Sequence, residues 1–440
     1  MMAVPQENPG ARRLVAGWAQ FGLAALALST VFAVLVVGTR TPLLSGFANA
    51  KELFRSALVM HVTFALMVWF FVCAATMWAL AAGNTGPLRK SALVLAYAGA
   101  TTLALAPFFG TPLPILSNYV PILDSTIFLV GVTAFVSGVF LSGFAAVGDI
   151  LRQLKTGQRD TWRFGALLSI AAAAMALGSL AASMKATGIP TEQHGFELMF
   201  WGPGHLLQFL NVLLLMTIWI ILGERVLGSA VAPRRWLIGL LLLAVLPVLA
   251  TPFIHLLYPV DSPNFRHAFT ALMTLGLWPA PVLLAIRLLL QISRAGYTVW
   301  AKPETLPLAL SILLLLAGCI IGASIRGETT MVTAHYHSTV GALTMAYMGF
   351  GYRLLASFGF SIKNLQLARW QLLLYATGQM LLAFSLAWLG LMNAPRKTPH
   401  SELAAQSVTA FSAMELGGLL SLIGVALFVF NILRRTKQEQ

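Results

Sequence analysis

Charge is scarce in this chain. Asp, Glu, Lys and Arg make up 10% of its 440 residues, where a soluble domain carries roughly a quarter. Cysteine is scarcer still: Cys73 and Cys319 are the only two, which excludes a disulfide framework and any Cys-based metal spacing. With no Cys-x-x-Cys-His and no copper-binding Cys loop, the chain carries neither a covalently attached c-type haem nor an electron-entry copper domain of its own. Pro-rich linkers, low-complexity tails and a clear internal repeat are also missing, so nothing marks off a soluble domain.

What fills the chain is apolar. Hydrophobic residues reach 58% and mean hydropathy is +0.82, the composition of a polytopic membrane protein. Windows long enough to cross ~30 Å of hydrocarbon as helix fall near 15–37, 56–82, 91–109, 122–148, 164–184, 197–222, 236–257, 266–292, 307–325, 330–354, 370–392 and 407–433. The fold class expected is therefore all-α, a twelve-helix membrane domain over 15–433 with short tails at 1–14 and 434–440. The first window is too long for a cleaved signal and lacks a small-residue cleavage site.

Lys and Arg set the orientation. With both termini in the cytoplasm, twenty fall on the inner side and eight on the outer: Arg40, Lys51, Arg55, Lys185, Arg266, Arg326, Arg396 and Lys397. That bias accounts for the net charge of +14 without a nucleic-acid partner; the expected location is a bacterial-type inner membrane.

The eight histidines are not scattered. His61, His194, His205, His255, His267, His335, His337 and His400 all fall in the outer half. Ionisable groups inside a membrane are expensive and mark functional sites. Imidazole without clustered carboxylate or thiolate suits haem iron or copper. In AHYHSTVG, His335 and His337 point about 200° apart on a helix, so they serve two groups on opposite flanks. A six-coordinate haem needs a second axial ligand from another helix, and His61 is available. A five-coordinate haem keeps one face open, towards which His205 and His255 are available to hold a further metal.

These segments resemble the haem-copper oxidase superfamily, subunit I of cytochrome c oxidases and their nitric oxide reductase relatives. The resemblance covers nearly the whole chain. AHYHSTVGALTMAYMGF is similar to the family's tenth-helix ligand segment, and Phe200-Trp201-Gly202-Pro203-Gly204-His205 to its sixth. His255 follows His205 at the family's spacing, and Asn393-Ala394-Pro395-Arg396-Lys397 resembles the propionate-binding loop. The resemblance implies two haems and one copper or non-haem iron. His61 and His337 would ligate the low-spin haem and His335 the high-spin haem. His205 and His255 would hold the second metal, Trp201 would flank it, and Arg396 and Lys397 would pair with propionates.

Two positions depart from the pattern. The family usually carries a second histidine after His255; here Leu256 follows, so the missing ligand is Tyr258, Asp261, His267, Gln208 or none at all. Oxygen-reducing members of the main class carry a Tyr four residues after the first metal ligand, and better-known nitric oxide reductases a Glu. Here the residue is Phe209. Inner carboxylates (Asp149, Asp160, Glu224, Glu304) lie at boundaries or in loops, whereas Glu197 and Glu415 lie in the outer half of spans and Glu328 in an outer loop, the candidates for an outer proton path. The expectation is a membrane oxidoreductase reducing NO, or alternatively O2, with His335, His205 and His255 at the reacting centre. A cupredoxin or cytochrome c type subunit on the outer face would supply electrons. A non-catalytic haem protein is the remaining alternative.

Overall fold

The computed structural model describes residues 8–39, 50–110, 112–117, 121–156, 160–190, 192–396 and 405–437. Twelve long helical segments follow one another: α1 (Pro9–Gly38), α2 (Lys51–Ala82), α3 (Pro87–Phe108), α4 (Thr126–Lys155), α5 (Thr161–Thr187), α6 (Gln193–Leu227), α7 (Arg234–Leu257), α8 (Pro263–Arg294), α9 (Thr305–Ala323), α10 (Thr330–Ser357), α11 (Leu365–Leu391) and α12 (Val408–Leu433). Eleven are long and apolar enough to cross a membrane. The other, α10, has the length but dilutes its apolar run with Thr330, Thr333, His335, Tyr336, His337, Ser338 and Thr339. The helix least suited to lipid is the one that carries His335 and His337 near its start.

Two compact units make up the chain. The first comprises Met1–Ile221 and Ala232–Ile286, the second Leu222–Val231 and Arg287–Gln440.

In the first unit α1 starts at Pro9, ahead of its apolar window, because Asn8 caps it by accepting from the Ala11 N–H at 3.0 Å and Pro9 sits where a missing N–H costs nothing. α3 and α4 approach so closely that a side chain on Gly99 would overlap the Phe135 backbone. Trp78 of α2 donates from Nε1 to Ser169 Oγ of α5 at 2.9 Å, satisfying a fully buried indole. Arg89, 5% exposed, pairs with Asp149 and donates to the carbonyls of Asn84 and Ala145. α7 is not one regular helix: Leu246–Ala250 tightens to 3-10 geometry before Thr251–Leu257 resumes, at Pro247, which has no N–H for an α-helical bond.

The second unit packs α9 to α12. Side-chain hydroxyls join α9 to α10 in both directions: Ser311 donates to Ala342 O and Ser338 to Leu314 O, each at 2.7 Å. Tyr352 of α10 donates to Gln371 Oε1 of α11 at 2.9 Å and accepts from Asn431 Nδ2 of α12 at 3.3 Å. Met331, Ala334, Ala383, Leu386, Leu389, Ala410 and Met414 form a core at the end of this unit that carries the histidines.

Candidate functional site

His335 stands in the second turn of α10. Its Nδ1 lies 2.8 Å from the carbonyl oxygen of Gly318 on α9. A carbonyl oxygen only accepts, so Nδ1 carries the proton and the lone pair sits on Nε2. The ring also rests on Gly322, where an added Cβ would fall 2.7 Å from Nδ1. Gly318-Cys319-Ile320-Ile321-Gly322 thus gives α9 one bare face, and His335 occupies it. His337 is half-buried two residues on, displaced about 200° around the same helix.

The loop after α11 is fastened to the start of α10. Thr330 N–H donates to Ala394 O at 2.9 Å and Arg396 N–H to Glu328 O at 3.1 Å. Arg396 is thereby held beside the first turn of α10, and His335 lies five residues, or ~7.5 Å of helix rise, further on.

His61 repeats the His335 arrangement in the first unit. Its Nδ1 is 3.0 Å from Ser29 O and 3.1 Å from Ser29 Oγ on α1, and Ser29 is 2% exposed. Bonding to that carbonyl again leaves the lone pair on Nε2. Thr63–Val68, directly after it, is π-helical, a local widening that recurs at functional sites.

His205, 2% exposed, has Nδ1 2.6 Å from Trp201 O one turn earlier in α6, the same tautomer once more. Trp201 donates from Nε1 to Arg266 O at 3.1 Å, and its ring lies 5.1 Å from that of His205. His255 differs. Its Nε2 lies 2.8 Å from Ser179 Oγ of α5, so Nδ1 is the nitrogen left for a ligand role. Both imidazoles flank Phe269, at 6.3 and 5.8 Å between ring centroids.

A metal-bound imidazole needs one ring nitrogen fixed by a protein partner and the other bearing a lone pair. His61 and His335 meet that requirement with backbone acceptors, and the bare Gly322 face makes the room that the His335 ring occupies. These residues fit haem iron. The second-metal position is less complete. Leu256 is 82% exposed and Asp261 and His267 are exposed. Among the described residues no group of three His, Cys, Asp or Glu is placed to hold a metal ion. Among the described residues His205 and His255 are thus two imidazoles without a third donor of these types grouped with them.

Of the other residues singled out by sequence, Lys397 and His400 lie outside the described residues. Glu197 is half-buried and accepts from Gln193 Nε2 at 3.0 Å; Glu415 is half-buried and Glu328 exposed. Phe209 is fully buried.

The sequence model described as Cytochrome C and Quinol oxidase polypeptide I matches residues 13–427. The chain belongs to that family. As a member of the haem-copper oxidase subunit I superfamily it is a multi-pass membrane protein of an oxidoreductase class. It is 23% identical to "Uncharacterized protein RP382" of Rickettsia prowazekii (strain Madrid E) over 490 residues, covering 95% of this chain and 94% of the relative. An Aquifex aeolicus (strain VF5) protein is 27% identical over 349 residues, covering 79% and 86%. A solved structure titled as a heme-copper terminal oxidase dimer superposes with a TM-score of 0.75 at 16% identity, covering 96% of this chain and 83% of that one. That last likeness is one of fold.

Of the residues that fix the rings, Trp201 was singled out from sequence; Gly318, Ser29 and Ser179 were not. Gly318 and Gly322 carry a readable signal, a Gly-x-x-x-Gly spacing in an apolar span. Ser29 and Ser179 carry none, being ordinary serines in apolar helices.

Proposed function

We propose that this haem-copper family member reduces nitric oxide. Two NO, two electrons and two protons give N2O and water. Phe209 carries the reading: it stands where the oxygen-reducing main class has a tyrosine, and a buried phenyl ring has no O–H to supply a proton and an electron for O–O cleavage. His61 and His337 are the proposed axial ligands of a low-spin haem and His335 the protein ligand of a high-spin haem. When bound, the haems pass electrons singly to the gas.

The chain's own residues do the rest. The carbonyls of Gly318 and Ser29 hold the Nδ1 protons of His335 and His61, so both rings present Nε2 without choosing a tautomer. Arg396, held at the start of α10, is the proposed cation for a haem propionate, with Lys397 beside it in sequence. His205 and His255 are the proposed donors to a second metal, copper or non-haem iron, with Trp201 beside His205. Glu197, Glu415 and Glu328 are proposed to bring protons from the outer side, the side given by the Lys and Arg distribution. The chain has no c-type haem motif and no Cys-rich copper loop, which supports a separate cupredoxin or cytochrome c type donor.

Oxygen reduction is the second reading, favoured by membership in a family described by cytochrome c and quinol oxidases. The test is one purified preparation, counted for haem, iron and copper, and assayed side by side for NO and O2 consumption. Faster NO turnover is expected; faster O2 turnover overturns the proposal. Two haems with no further metal and no turnover of either gas would make this a haem protein without catalysis.

A further inference from the structure

A cavity of about 620 Å³ opens in the second unit, where the last turns of α6 and α10 meet the segment leading into α9. Arg225, Lys302, Pro303, Glu304, Arg353 and Ala356 line it. Three cations and one carboxylate share this space. Lys302 Nζ donates to Val226 O at 2.6 Å and Arg225 O at 3.4 Å, closing the carbonyl end of α6. Glu304 Oε1 lies 3.9 Å from Arg225 Nε, the outer limit of an ion pair. The Arg225 charge acts on Arg353 unfavourably and that of Glu304 favourably.

Charge counting narrows what this cavity accepts. Three cations less one carboxylate leave +2. The carbonyl ends of α6 and α10, the latter terminating one residue after Ala356 at Ser357, contribute about −0.5 each. The remainder is about +1, which suits a monoanion better than a dianion. Two guanidinium groups offer fork-shaped donors that match phosphate oxygens.

The surroundings narrow it further. Tyr297 is 87% and Trp300 49% exposed just before Lys302, and Trp370 is 55% exposed at the start of α11. Arg369 Nη2 donates to Trp300 O at 3.1 Å, drawing the start of α11 to the same place. Exposed Trp and Tyr at helix ends mark headgroup depth in a membrane protein. A basic pocket between spans at that depth suits an anionic lipid headgroup.

We propose that this cavity binds the phosphodiester of an anionic phospholipid, with Arg225 and Arg353 as the phosphate-binding residues and Glu304 holding Arg225 towards the cavity. The test compares the full-length protein with R225Q/R353Q and R225K/R353K variants, each purified from the same membrane in mild detergent. Native mass spectrometry counts retained lipid, and delipidated protein is titrated with phosphatidylglycerol, phosphatidylcholine and inorganic phosphate. Wild type is expected to retain about one phosphatidylglycerol-type lipid and to prefer it to phosphatidylcholine at least tenfold. R225Q/R353Q loses both the retained lipid and the preference, while R225K/R353K, which keeps the charge, retains part of each. Helical circular dichroism checks that each variant is folded. Equal retention by folded R225Q/R353Q overturns the site. Equal binding of phosphatidylcholine overturns the requirement for an anion. Displacement of phosphatidylglycerol by equimolar inorganic phosphate assigns the cavity to a free phosphate and overturns the lipid.

Discussion

His335 and Gly318 are joined across two helices: the imidazole of α10 donates from Nδ1 to the Gly318 carbonyl of α9 at 2.8 Å. One helix supplies the proposed ligand and its neighbour sets the ring's tautomer and heading. The arrangement works only because α9 presents glycine where the ring lies.

Gly322→Ala tests that dependence. The new methyl group would sit 2.7 Å from His335 Nδ1, so the ring must shift or α9 must move away. Overpacking of this kind costs about 1–3 kcal/mol. The expected result is a folded protein that loses its high-spin haem signal and keeps its low-spin one. Unchanged absorption and haem content would count against His335 as a ligand.

His61→Ala and His337→Ala should each remove the low-spin spectrum and lower haem content from about two per chain towards one. Ser29→Ala should do much less, because the carbonyl that fixes His61 belongs to the backbone and survives. Loss of the hydroxyl contact costs about 0.5–1.5 kcal/mol, visible as a lower melting temperature with the spectrum retained. A low-spin spectrum that persists in His337→Ala rules that residue out.

Leu256→His restores the family's usual histidine pair in sequence but should not restore a metal ligand. The side chain at 256 is 82% exposed, while its neighbour His255 turns inwards to Ser179. Metal analysis of this variant is expected to match wild type. A gain of one copper per chain would show that α7 can rotate to present both residues.

Ser179→Ala removes the partner 2.8 Å from His255 Nε2. Partners of this kind are worth about 10–100-fold in metal affinity, so the second metal should titrate in at correspondingly higher concentration while haem content is unaffected. Identical metal titration curves would leave Ser179 a packing residue only.

Phe209→Tyr places a phenol at the position where oxygen reducers carry one. The buried hydroxyl costs about 1–3 kcal/mol if it finds no partner, lowering the melting temperature. The ratio of O2 to NO consumption is expected to rise; an unaltered ratio would remove Phe209 as the basis for preferring NO.

Much of the fold was legible because spanning a membrane is a one-dimensional problem: length and hydropathy decide it. The twelve segments fall where apolar windows lie, and even the weak signal of α10 is explained by its own histidines and hydroxyls. Helix interiors were less legible. The 3-10 stretch in α7 follows from Pro247, but the π-helical turn after His61 depends on how α2 packs and has no sequence signature. The histidines stood out because imidazole in hydrocarbon demands a reason. Their partners on other helices did not, because a backbone carbonyl exists at every residue and only packing selects the one at Gly318 or Ser29.

That selection bears on how this chain tolerates change over long divergence. The acceptors for His61, His205 and His335 are main-chain atoms, which no side-chain replacement can delete. Drift is thereby restricted only where bulk would push the backbone away, as at Gly322. At 23% and 27% identity to the Rickettsia and Aquifex proteins, such a chain can exchange most of its side chains and still hand the same proton to the same kind of oxygen.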